Sequence, residues 1–70
     1  MKISLRAARV NAGFIQSEAA EILGVSKPTI IRWERGESLP NIRQFQQMCV
    51  LYGCTPEELN ILDIRDDIQK

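Results

Sequence analysis

The side chains best suited to chemistry are cations gathered in one short stretch. Lys27, Arg32 and Arg35 fall within nine residues, interleaved with Pro28, Thr29 and Ile31. In a DNA major groove, lysine and arginine donate to guanine O6 and N7. Pro28 has no donor, but its ring can pack on a thymine methyl, and so can Ile31. Thr29, Arg35, and further on Asn41 and Arg43 suit phosphate oxygens, which fix register without reading sequence. A charge cluster is more often a solvated helix face, so the elements that carry these residues decide what they do.

Other chemistries are poorly supplied. The chain has no histidine, which removes the commonest general base. No serine stands in a nucleophile motif. Cys49 falls on the apolar face of a helical pattern, and no base or cation pairs with Cys54. The two cysteines are not at metal-ligand spacing and are expected to be reduced thiols in a cytosolic core. Neither an enzyme, a metal site, a cofactor nor a small-molecule ligand is expected.

The elements that position the cations run from Gln16 to Gly36. Ala19, Ala20 and Leu23 lie at helical spacing, and Gly24 can take the positive φ that ends a helix. Val25 fills the corner. Ser26 is a good N-cap for a second helix, and Pro28 is tolerated in its first turn. Ile30 and Trp33 face inward, which leaves Lys27, Ile31, Arg32 and Arg35 outside. Two helices about a short glycine turn, the second presenting basic residues, describe a helix-turn-helix.

Around this unit the pattern predicts a first helix over Ser4–Ala12, buried through Leu5, Ala8 and Ala12, with Phe14 plugging the core. Ile15 stands where a capping side chain would serve the next helix; it leaves that start uncapped or acts as an apolar staple. Asn41 caps a fourth helix, Ile42–Tyr52, whose buried stripe is Ile42, Phe45, Cys49 and Tyr52, widened by Met48. Thr55, Pro56, Glu57 and Glu58 open a short fifth helix, and Leu59 and Leu62 return to the core. The expected domain is 1–62. The tail, 63–70, reads equally as a frayed end, a short helix or a contact for another subunit.

Net charge is zero, but it is unevenly spread. Residues 1–56 carry seven basic and four acidic side chains, and residues 57–70 carry two and five. Such a molecule can turn a basic face to phosphate and its acidic end away. No apolar run is long enough to span a membrane, and no secretory leader is expected.

Gly13, Gln16, Ala20, Leu23-Gly24-Val25-Ser26, Thr29-Ile30, Arg32-Trp33-Glu34-Arg35-Gly36 and Pro40 together resemble the Cro/CI-type (XRE, lambda-repressor-like) DNA-binding domains of phages and bacteria. The likeness runs from about Leu5 to Leu59. It implies an all-α, compact five-helix domain with the helix-turn-helix at helices 2 and 3. It implies that Arg9 is the internal ion-pair partner of Glu34, and that Lys27 and Arg32 occupy base-reading positions. Gln16 matches a glutamine that braces the recognition helix and contacts the backbone. The pattern departs at Ile15, usually a Ser or Thr cap, at Ile22, usually polar, and at Pro28, often polar. The implied function is transcriptional regulation, as a repressor in a bacterium, phage or mobile element. It would act as a weak homodimer on a double-stranded operator, in the cytoplasm and bound to the nucleoid. The alternative is a protein-interaction module, such as an antitoxin-like partner binder, working through Ile31, Val50 and Leu51.

Overall fold

A computed structural model describes residues 3–59. Four helices follow in order: α1 (Leu5–Asn11), α2 (Gln16–Leu23), α3 (Lys27–Arg35) and α4 (Ile42–Tyr52). Three of them start on a side chain that satisfies a backbone N–H with no intrahelical partner. Ser4 Oγ accepts from the Ala7 N–H at 3.0 Å, and Ser26 Oγ from Thr29 at 3.3 Å. At α4 the satisfaction is reciprocal: Asn41 Oδ1 accepts from the Gln44 N–H, and Gln44 Oε1 from the Asn41 N–H. Helix α2 has only half of this arrangement. Glu18 Oε1 accepts from the Ile15 N–H at 3.0 Å, while Ile15 has no oxygen to return and its side chain is 60% exposed. It therefore serves neither as a cap nor as a buried staple.

Each helix stops by the same device. The residue after a left-handed glycine donates its N–H to the carbonyl five residues back: Phe14 to Arg9, Val25 to Ala20, Glu37 to Arg32 and Cys54 to Cys49. A side chain with a Cβ would resist the φ of 72° at Gly24 that makes the turn between α2 and α3 so short.

The core is built from the inner faces of all four helices. Leu5 and Ala8 come from α1, Ala19 and Ala20 from α2, Ile30 and Trp33 from α3, and Met48, Cys49 and Tyr52 from α4. The small Ala19 and Ala20 let α2 and α3 approach closely, and this is the most extensive helix pairing. Phe14 leans on Tyr52, ring centroids 6.5 Å apart. Leu59 closes the far end through a single parallel bridge to Ile3, whose N–H donates to the Glu58 carbonyl at 2.7 Å.

Three expectations need correction. The segment opening with Thr55 is a turn over 56–58 rather than a helix: Glu58 N–H donates to the Thr55 carbonyl, and Glu58 Oε1 accepts from the Thr55 N–H. Among the described residues the domain has four helices, and Leu62 and the 63–70 tail lie outside them. Ile42 is 78% exposed instead of core. It shares a helical face with Cys49, seven residues on, but sits at the first position of α4 and is left uncovered there. Leu51 and Ile31, expected to be exposed, are each half-buried, and Leu51 packs against the core.

Candidate nucleic-acid interface

Helix α3 is sorted by angle. At 100° per residue, Lys27, Ile31, Arg35, Pro28 and Arg32 fill an arc of roughly 140°, while Ile30 and Trp33 point the other way. The structure follows this division. Ile30 and Trp33 are 1% and 3% exposed, whereas Lys27, Pro28, Arg32 and Arg35 are exposed and Ile31, inside the arc, is half-buried. The nine residues of α3 make a helix about 14 Å long, and its diameter of about 10–12 Å fits a major groove about 12 Å wide.

The acid of α3 is withdrawn from this face. Glu34 turns inward, where Arg9 Nε donates to its Oε2 at 2.6 Å and Nη2 to its Oε1 at 3.3 Å. The third Arg9 nitrogen, Nη1, donates to the Phe14 carbonyl at 2.8 Å, and Gln16 Nε2 adds a bond to Glu34 Oε1 at 3.2 Å. Both charged side chains are under a tenth exposed. One network thus fixes α1, the α1–α2 loop, α2 and α3 to one another, and removes a carboxylate from the surface that carries Lys27, Arg32 and Arg35. Tyr52 lies close by; burial first, and then the nearby Glu34 charge, push its phenol up to about 12, so it stays neutral.

The remaining candidates are partly engaged. Thr29 is half-buried and its hydroxyl shares a 2.9 Å hydrogen bond with Ser26. Asn41 uses its oxygen as a cap, leaving its amide N–H groups available. Arg43 is exposed on α4. Arg35 meets Glu37 at 3.7 Å in an exposed pair, a weak contact that phosphate can displace.

Two features were not anticipated from the sequence. Among the described residues Glu37 is the only acid in an ion pair with an outward cation of α3, and its position just past Gly36 was the available signal. Ile22 and Val50, 57% and 84% exposed, line one open hollow of about 460 Å³ between α2 and α4. Leu23, Leu51, Arg43, Gln46 and Gln47 complete its lining. No group of three or more metal-ligating side chains occurs among the described residues, and no described helix is long and apolar enough to cross a membrane.

The sequence profile of a family described as helix-turn-helix matches residues 5–59, most of the chain. Neither the curated proteins nor the solved structures yielded a match.

Proposed function

The chain belongs to the Cro/CI-type helix-turn-helix family of DNA-binding transcription regulators, and from that premise we propose that it binds a specific double-stranded operator as a homodimer and represses transcription. In this reading Lys27 and Arg32 donate to base edges, and Pro28 and Ile31 pack on thymine methyls. Arg35, Thr29, Asn41, Arg43 and Gln16 meet phosphate. The observation that carries the reading is the sorting of α3: its cations face out together while its one acid is held inside by Arg9. Binding to duplex DNA, followed by fluorescence anisotropy over a range of salt, tests it. Each neutralised phosphate steepens the fall of log K against log salt by about 0.9, so a steep slope is expected and a flat one contradicts it.

A recognition helix of nine residues reads too few base pairs for a unique site. The proposed dimer would therefore place its half-sites about one helical turn, roughly 34 Å, apart. The α4 surface around Val50 is the proposed contact, with Ile22 across the hollow. Ile61, Ile64 and Ile68, outside the described residues, would extend it, with 63–70 acting as a subunit contact appended to a 1–62 binding domain. The protein would work in the cytoplasm of a bacterium, in host, phage or mobile-element service.

The same hollow is what favours the second reading, an antitoxin-like module that binds another protein. Salt separates the two: an apolar protein contact around Ile22 and Val50 changes little with ionic strength, whereas counterion release weakens DNA binding.

A further inference from the structure

Cys49 and Cys54 take no part in DNA recognition, yet the end of α4 brings them together. Gly53, at φ 71°, reverses the chain, and the Cys54 N–H donates to the Cys49 carbonyl at 3.1 Å. Even with every intervening bond in line, this contact limits the two Cα atoms to about 7 Å, and the real, bent path is shorter. Bridged cysteines have Cα separations of about 4.4–6.8 Å. Both residues also line one open hollow of about 360 Å³, together with Gln46, Val50, Thr55 and Pro56, so they border the same space. Burial raises the Cys49 thiol, and the neighbouring Cys54 raises it further. Cys49 is 6% exposed and Cys54 half-buried, so a reagent meets Cys54 first.

We propose that Cys49 and Cys54 are a redox modification site: a small disulfide, such as oxidised glutathione, converts them to an intrachain bridge stapling the end of α4 to the turn after it. The Cys54 thiolate attacks one sulfur of the reagent, whose S–S bond breaks, and one glutathione leaves as thiolate. The Cys49 thiolate then attacks the Cys54 sulfur of the mixed disulfide, and the second glutathione leaves. Two electrons pass from the cysteines to the reagent, and the two protons given up by the cysteines finish on the two glutathione thiolates. Burial, and then Glu58, raise the Cys54 thiol, so exchange is slow at neutral pH and the reaction must be followed to equilibrium. The bridge joins α4 to the turn after it and includes no residue of α3. The proposal stands independently of DNA binding.

The full chain is equilibrated with oxidised and reduced glutathione, once folded and once in urea, then alkylated and weighed intact. The expected product is a monomer lighter by two hydrogens, with no alkylatable thiol, restored by reductant and mapped to a 49–54 link. Its formation constant in the folded chain should exceed that in urea on the order of tenfold, because the fold holds the loop closed in advance. Cys49→Ser should stop at the mixed disulfide on Cys54. Two persistent free thiols, a stable glutathione adduct in the unsubstituted chain, intermolecular bridges, or a constant no larger folded than unfolded would each overturn the proposal.

Discussion

Removing the Arg9 side chain should damage the fold far more than removing any solvated arginine. Arg9→Met retains most of the apolar stem but deletes three hydrogen bonds: two to Glu34 and one to the Phe14 carbonyl. Glu34, whose side chain is 6% exposed, is left with Gln16 as its one remaining partner in the network. Stranding one member of a buried pair typically costs about 3–5 kcal/mol. A domain of this size melts about 4–8 °C lower per kcal/mol, so the expected loss is at least ~12 °C. Small domains have only about 5–15 kcal/mol in total, and this one should stand near the lower end, so much of its stability would go. Arg6, exposed on the same helix, is the control, and Arg6→Met should change stability by no more than about 0.5 kcal/mol. Thermal melts followed by circular dichroism give both values. Adding Glu34→Gln to Arg9→Met should recover part of the loss, because a carboxamide needs no counter-charge. Equal and small losses for Arg9→Met and Arg6→Met would refute the reasoning.

Ile15 already has the extended backbone of an N-cap, φ −83° and ψ 164°, so Ile15→Ser should stabilise the domain by about 1 kcal/mol in a denaturant titration. Tyr52 sets an alkaline limit. With its folded value pushed up to about 12 and an unfolded value near 10, only the unfolded chain loses this proton between those pH values. Stability should therefore fall as pH rises from about 10 to 12, with phenolate absorbance appearing only on unfolding; normal titration of Tyr52 in the folded state would contradict this. Val50→Asp, at an exposed site beside the hollow, should weaken self-association in sedimentation at high concentration while changing the melting temperature by little.

The parts of the fold that could be read from the sequence are those set by short-range chemistry. Ser26, Gly36, Asn41 and Gly53 act on backbone within a few residues of themselves, so the bounds of α3 and α4 follow from their neighbours. Ile30 and Trp33 were legible from helical phase alone. Ile42 was misread because phase says which way a side chain points and not whether anything stands there to cover it. The segment after Thr55 has a helix-start pattern, but the described part remains a turn whose backbone goes to Ile3 instead. The pairing of Ile22 with Val50 across the hollow joins residues 28 apart in sequence, and nothing local predicts it. At the interface, residue types and their angular order on α3 were legible. The Glu37 contact to Arg35 was not, because it depends on how the chain turns after Gly36.

Reading and anchoring on α3 can be separated by comparing Arg32→Ala with Arg35→Ala. Both side chains are exposed, and Arg32 lies four residues after Pro28, on the same outward arc as Lys27, whereas Arg35 closes the helix beside Gly36. After selection of the preferred duplex from a random library, each variant is measured on every single-base change of that site at two salt concentrations. Arg32→Ala should cost about 1–3 kcal/mol on the preferred site and relax the choice at one base pair. Arg35→Ala should weaken all sequences alike and lower the salt slope by about one. If Arg32→Ala loses affinity uniformly and keeps every base preference, α3 does not read DNA through Arg32; if the unsubstituted chain selects no duplex at all, the assignment of α3 as a recognition helix is wrong.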